Sequence, residues 1–424
     1  MSKKVCIVGL GYIGLPTAVM FANHGYQVHG VDINEKAVEM LKNKELHIEE
    51  PGLKERLVRA IDGGHFTVST VPTEADVFII AVPSPINDNK CANMDYVSDA
   101  TKSIVPFVKK ENLVILESTV PPRTVVDVMV PILKETQLEI GEELYVSHSP
   151  ERVIPGRVFE ELVKNDRIVG GINDKSSQLT VDLYKAFVKG TIHVTDVTTA
   201  EMVKVIENTY RDVNIAFANE LAKISQNIGV NVWEAIQLAN FHPRVNIHLP
   251  GPGVGGHCIA VDPWFMVELQ PELAQIINLS RQTNDSMPAY TAQRVKEILN
   301  NEGIVHPKVA VLGLAFKADI DDMRESPSLE VIHHLKVLGM DVSAFDPHIK
   351  ENKIKEQTQD INEAMDHADL ILVLTSHKEF VNLEPTDFIN KMRTPYIFDT
   401  KNCIDRTIWR KAGFTTKLLG DSKN

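Results

Sequence analysis

The amino-acid sequence predicts an α/β fold: two doubly wound parallel-sheet domains joined by a central helical segment with one long helix. Three observations carry this. Short apolar runs alternate with helical patterns up to residue 171, the same order of segments returns after about residue 304, and a capped helical pattern fills the stretch between. Strands alternating with helices imply a parallel sheet covered on both faces.

The first run, Lys4 to Leu10, ends on Gly9-Leu10-Gly11-Tyr12-Ile13-Gly14, and a helical pattern follows from Leu15 to about Asn23. Gly25 then introduces a second strand that closes on Asp32, and further strands are expected at 76–82, 113–118, 144–149 and 167–171. Near the C-terminus, Lys308–Leu314 matches Lys4–Leu10, Gly339–Asp346 echoes Gly25–Asp32, and Ala368–Val373 echoes Ala75–Ile80. Three paired segments in one order read as a second nucleotide-binding-type domain. Its turn is altered, because Gly11 and Gly14 correspond to Ala315 and Ala318, so it should hold something other than a dinucleotide pyrophosphate. Between the halves, Thr198-Thr199-Ala200-Glu201 has the form of a capping box, and the long helical pattern it opens is ended by Gly229. The tail from Gly420 is short and polar and is expected to be loose.

Length and composition set bounds on function. At 424 residues the chain is too long for one ordinary core. Its 44 basic and 57 acidic residues give a net charge of −13, which repels phosphate backbones and argues against a nucleic-acid partner. No run of apolar residues is long enough for a membrane span. Four scattered cysteines, with no CxxC pair and no His/Cys spacing, argue against disulfides and metal, and point to the cytoplasm.

A GxGxxG motif alone is a weak signal. Here it follows a strand, opens a helix and precedes an acid 18 residues after Gly14, which is the Rossmann fingerprint. The glycines permit a tight turn and close approach of the backbone, and helix N–H groups face the pyrophosphate. Asp32 would accept the ribose hydroxyls and repel a 2′-phosphate, which favours NAD over NADP. Pro250 to Cys258 is a different kind of segment. Four glycines in six residues suit neither a helix interior nor a central strand, so the backbone must approach something closely, and Cys258 ends the run after His257. A lone cysteine is more often a small buried hydrophobe, as Cys6 is expected to be, and a reactive thiol needs local help to ionise.

Weaker signals surround these two. Lys204, Asn208 and Arg211 share one face of the long helix at i, i+4 and i+7, either as a solvated stripe or as an acid/base and oxyanion group. Ser147 to Arg152 puts the Glu151 carboxylate just after a strand end, where open α/β sheets bind ligands. His242 and Arg244 lie in a basic loop that suits a subunit contact equally well. Phe316 to Ser326 follows the second glycine turn, which favours a phosphate role for Lys317.

As an ordered set, GLGYIGLP, ESTVPP, SPERV, the Lys204–Asn208 helix, PGPGVGGHCxxxD and FKxxxDDxRxS closely resemble the UDP-sugar 6-dehydrogenases. The resemblance runs from Gly9 to about Ser326, and the domain plan covers nearly the whole chain. It implies an NAD-binding Rossmann domain at 1–195, a central helical domain with the cysteine loop and dimer contacts at 196–303, and a UDP-binding Rossmann-like domain at 304–424. It also implies a four-electron oxidation with two NAD and water, in which Cys258 captures a C6 aldehyde as a thiohemiacetal and then a thioester. By resemblance, Lys204 stabilises the oxyanion and moves protons with help from Asn208, while Glu151, Thr119 and Asp262 position or activate water.

The same resemblance assigns NAD contacts to Gly9, Gly11, Tyr12, Ile13, Gly14, Asp32, Lys36, Ser84, Thr119 and Arg324. It assigns substrate contacts to Arg152, Val153, Lys204, Asn208, Arg211, His242, Arg244, Gly255, Phe316 and Lys317, with Arg244 reaching in from a neighbouring subunit of a homodimer or higher oligomer. Val261 stands where the UDP-glucose branch typically has Lys, and the run from His242 to Phe265 looks most like the branch that oxidises UDP-N-acetylmannosamine. UDP-N-acetylglucosamine is the runner-up, ahead of UDP-glucose. A two-electron β-hydroxyacid dehydrogenase needs neither the cysteine nor a second α/β domain, and an NAD-binding sensor would leave the Lys204 face and the cysteine loop without a purpose.

Overall fold

The computed structural model describes residues 3–422. Contacts divide the chain into two compact units. The first runs through Glu207 and takes in Trp264–Leu269; the second holds Asn208–Pro263 and everything from Gln270 onward.

The first unit is built on β1 (Lys4–Val8), β2 (Gln27–Val31), β3 (Phe66–Ser69), β4 (Val77–Ile80), β5 (Leu113–Leu116), β6 (Tyr145–His148), β7 (Arg167–Gly171) and β8 (Ile192–Asp196). They form one sheet in the order β3-β2-β1-β4-β5-β6-β7-β8. Every residue of β4 and β5 is buried, because helices cover both faces and leave no solvated side to alternate with. The apolar runs announced these strands. They did not announce β8, whose positions are half-buried or exposed, nor the four-residue β3. One pairing departs from the parallel pattern: β6 and β7 run antiparallel, with Ser147 opposite Gly171. The chain after β6 therefore runs alongside the start of β7, which brings Glu151 beside Arg167.

The second unit carries β9 (Lys308–Leu312), β10 (Asp341–Phe345), β11 (Gln357–Thr358), β12 (Leu370–Val373), β13 (Tyr396–Asp399) and β14 (Thr415–Leu418). Their order, β11-β10-β9-β12-β13-β14, repeats the first six strands of the other sheet. The registers repeat as well. Val5 pairs with Val28 and Val77, and Val309 pairs with Val342 and Leu370. The Asp76 carboxylate accepts the Lys4 N–H at 2.7 Å, and Asp369 accepts that of Lys308 at 2.8 Å.

The long helix spans Val197–Ile228, and Gly229 follows it at φ +81°. Its start differs from the expected capping box. Asp196 is the cap and accepts the Thr199 N–H at 2.9 Å, while Glu201 is drawn into the protein to accept the Val125 N–H at 2.8 Å and that of Arg123. A carboxylate with two buried backbone donors within reach serves them rather than its own helix end. The tail also differs from expectation. Val232 donates to the Gly420 carbonyl at 3.0 Å, and buried Asp421 pairs with Arg406 at 3.0 Å. Among the described residues no helix is long and apolar enough to cross a membrane.

Candidate active site

In the first unit the glycine turn has three distinct positions. Gly9 sits at φ +94°, and a Cβ there would come within 2.5 Å of the Ala81 carbonyl. A Cβ on Gly14 would lie 1.8 Å from the Gly9 carbonyl oxygen, so both glycines are required by the protein's own packing. Gly11 differs, because a Cβ there would meet nothing within 4 Å. Its absent side chain leaves room outside the turn, as close approach of a pyrophosphate requires. The helix Gly14–Asn23 opens beside it with no side-chain cap at Ile13, so its positive N-terminal end faces the turn, although the Leu15 and Thr17 N–H groups bond to the Gly11 and Ile13 carbonyls and Pro16 has none. Asp32 accepts the Leu10 and Asn34 N–H groups, each at 2.9 Å, which fixes its carboxylate at the end of β2. Tyr12 is half-buried and Lys36 exposed. These residues fit a dinucleotide.

At the carboxyl end of the same sheet, Ser84 donates to the carbonyl of half-buried Thr119. Glu151 follows β6. Its Oε1 accepts the Arg152 N–H at 2.6 Å and its Oε2 accepts from Arg167 Nη1 at 3.0 Å. Arg167 also donates to Glu117 at 2.6 Å and to Ser149 Oγ at 2.8 Å, and its guanidinium lies 3.8 Å from the Tyr184 ring centre. Burial pushes the Glu117 carboxyl up to about 7 against the downward pull of Arg167. Arg152 pairs with Glu207 on the long helix at 2.6 Å, and Val153 packs against the core of the first unit. Lys204 is buried on that helix, one turn before Asn208.

In the second unit, Cys258 is exposed at the end of its glycine run. Its carbonyl accepts the N–H groups of Val261 and Asp262 at 3.1 and 2.8 Å, so the thiol stands one turn before the helix Asp262–Leu269. Buried Asn208 donates to the Asp262 carboxylate at 2.5 Å, and Arg211 donates to the Asn208 oxygen. Asn208, Asp262 and the cysteine loop thus form one hydrogen-bonded frame. The glycines are explained by what they touch. A Cβ on Gly255 would lie 2.4 Å from the Glu325 carbonyl, and one on Gly256, at φ +84°, would lie 2.8 Å from the Phe316 ring. The loop is pressed onto the segment after the second glycine turn, where Lys317 is exposed. Arg324 pairs with Asp322 at 2.7 Å. Desolvation and then Arg324 hold His257 below the usual histidine range. His242 and Arg244 are exposed, and the Arg244 N–H donates to the His242 ring at 3.3 Å.

The second glycine turn is closed by its own acid. Asp346, the counterpart of Asp32, accepts the Leu314 and Ala315 N–H groups at 2.7 and 2.9 Å and His377 Nε2 at 3.0 Å, and both side chains are fully buried. Burial pushes the Asp346 carboxyl up, but the His377 bond and the backbone donors outweigh it, so it lies below the usual carboxylate range. No oxygen is left exposed for a ribose.

Residues 3–188, 198–286 and 310–406 match, in turn, the NAD binding, central and UDP binding domains of the UDP-glucose/GDP-mannose dehydrogenase family. The chain belongs to this family. It is 50% identical over 426 residues to a protein of Methanococcus maripaludis named UDP-N-acetyl-D-mannosamine dehydrogenase, covering 99% of this chain and 97% of that one. The solved UDP-D-ManNAc dehydrogenase of Pyrococcus horikoshii matches with a TM-score of 0.93 at 39% identity, over 99% of this chain and 100% of that one. The UDP-N-acetyl-mannosamine dehydrogenase of Staphylococcus aureus matches with a TM-score of 0.90 at 45% identity, over 99% of each chain. Family membership makes the chain an NAD-dependent UDP-sugar dehydrogenase.

Several residues of this family member escaped the sequence reading. Glu117, Arg167 and Tyr184 form a buried cluster whose only sequence signal is a charge abutting an apolar run at each strand end. Glu50 accepts the Gly156 and Val158 N–H groups at 2.8 and 2.9 Å and so ties down the loop after Glu151. Half-buried Lys401 follows β13, and its ammonium would lie 3.2 Å from a Cβ on Gly251. Burial lowers its pKa, with Cys403 and Asp399 pulling the other way. Ligand atoms of Asp319, His348, His377 and Glu379 gather within 4.8 Å, but both nitrogens of His377 are engaged, by Asp346 and by the Asp319 N–H at 2.9 Å. That leaves His377 no lone pair for a cation.

Proposed function

We propose that the chain oxidises C6 of UDP-N-acetyl-D-mannosamine to the carboxylate, consuming one water and reducing two NAD, with Cys258 as the covalent nucleophile. The carrying observation is the exposed Cys258 thiol at the end of a glycine loop framed by Asn208 and Asp262. NAD supplies the hydride acceptor. Lys204 takes the C6 hydroxyl proton as hydride leaves carbon, and it faces the oxyanion that forms. Cys258 Sγ then adds to the aldehyde carbon, and the resulting thiohemiacetal keeps a reactive aldehyde from escaping. Loss of a second hydride from that carbon leaves a thioester. Water held by Glu151, Thr119 and Asp262 cleaves it, returning the thiol and releasing the acid.

Lys317 and Phe316 hold the UDP portion. Arg152, Val153, Arg211 and Gly255 line the sugar, His242 and Arg244 reach it from loops, and Arg324 leaves Asp322 to meet NAD. The division at 195/196 and 303/304 belongs to the same proposal. The names of the relatives support the N-acetylmannosamine substrate.

Initial rates of NADH formation on UDP-ManNAc, UDP-GlcNAc and UDP-glucose test the substrate. UDP-ManNAc should be preferred by kcat/KM, and preference for either rival would overturn that choice. Cys258→Ser should abolish acid formation while Cys6→Ser, in buried β1, retains it. Equal acid formation by the Cys258 variant would remove the covalent mechanism.

A further inference from the structure

Glu151 does not stand alone in the first unit. Its Oε2 shares the Arg167 guanidinium with Glu117, whose side chain has no exposed surface, while those of Arg167 and Glu151 are 5% and 8% exposed. The Tyr184 hydroxyl donates to the same Glu117 oxygen that Arg167 holds, at 2.5 Å. The other oxygen, Oε2, and the hydroxyl of Thr17 are both buried and have no partner beyond one another. A cleft bounded by Pro150, Glu151, Leu162, Asn165 and Arg167 reaches this cluster from the surface.

We propose that Arg167 and Glu117 are positioning residues for Glu151: Arg167 holds the Glu151 carboxylate at the carboxyl end of β6, and a single proton on Glu117 decides how firmly it does so. Two buried carboxylates and one guanidinium carry a net charge of −1, and one proton neutralises the group. The proton belongs on Glu117. Its side chain has no exposed surface, Oε1 already takes both Arg167 and Tyr184, and Oε2 has only the Thr17 hydroxyl beside it. A carboxyl O–H there can donate to the Thr17 hydroxyl, which turns to donate when Glu117 is ionised. The groups that face Glu117 are Arg167 from β7, Glu151 from the loop after β6, Tyr184 from the helix Asp174–Tyr184 and Thr17 from the helix Gly14–Asn23. His148 on β6 is neutral, because burial pushes it down to about 3. With Glu117 protonated, the guanidinium is held by Glu151 alone. When Glu117 ionises, the guanidinium is shared, its bond to Glu151 loosens, and a Glu151 oxygen becomes available to a water.

This inference rests on the proposed part of Glu151 in thioester hydrolysis, so its test has a readout that needs no turnover. The protonated-carboxyl infrared band of the full chain with NAD is followed between about pH 6 and 8, alongside kcat for the complete oxidation. Wild type should show one buried carboxyl titrating near neutrality, and kcat should rise through the same midpoint with KM unchanged. Glu117→Gln should remove the band and flatten the kcat profile. Tyr184→Phe should move both to higher pH, because the tyrosine bond favours the ionised form. Arg167→Lys, which keeps the charge but not the forked geometry, should lower kcat about ten-fold at constant KM. A wild-type titration and kcat profile in Glu117→Gln would overturn the inference. Normal turnover by Glu151→Gln would instead overturn the role of Glu151, and the infrared titration tells the two failures apart.

Discussion

A methyl group has opposite consequences at two glycines of the first turn. At Gly14 it would be driven into the Gly9 carbonyl, whereas at Gly11 it meets no protein atom. Gly11→Ala should therefore fold with an unchanged Tm yet bind NAD about ten-fold more weakly, a loss of about 1.4 kcal/mol. Gly14→Ala should lose Tm as well. Calorimetric melting and NAD titration of the two variants separate these effects, and equal NAD affinity in Gly11→Ala would remove the dinucleotide from that position. Cys258 shows the same division between what a residue's type reveals and what its neighbours do. Its glycine approach was legible because four glycines in six residues demand a close contact. The Phe316 ring and the Glu325 carbonyl that supply the contact lie 60 and 70 residues further along the chain and left no local trace.

At the level of elements, the duplicated strand-turn-helix units were legible because buried parallel strands are written as continuous apolar runs. The altered use of the second turn was legible from Ala315 and Ala318, but its cause was not. His377 belongs to the loop after β12, and nothing in the sequence says that its ring reaches back to Asp346. With Nδ1 accepting the Asp319 N–H, the ring donates through Nε2 to a buried carboxylate, so His377→Ala should cost about 1.5–3 kcal/mol at neutral pH. The sign with pH follows from the lowered Asp346 carboxyl. Its contribution is present above the unfolded carboxylate value, about 3.9, and is lost as pH falls through the lower folded value. The difference in Tm between wild type and His377→Ala should thus shrink in acid. A difference that grows in acid would place the charge elsewhere. The antiparallel β6–β7 pair was also hidden, since apolar runs do not encode direction, and with it the meeting of Glu151 and Arg167.

On the scale of the whole molecule, the long helix exposes Tyr210, Phe217, Ile224 and Ile228, spaced by seven, seven and four residues. Exposed large apolar side chains at this spacing form a stripe along one helix face, which suits a second copy of the chain. Phe217→Glu should convert a homodimer to monomers in sedimentation velocity; an unchanged sedimentation coefficient would move the subunit contact to another face. The central claim for the molecule is that Cys258 retains the C6 aldehyde until it is oxidised again. The most direct measurement is the number of NADH formed per limiting UDP-ManNAc, with the products assayed for free aldehyde. Two NADH per sugar and no aldehyde are expected; one NADH per sugar with aldehyde released would contradict the claim.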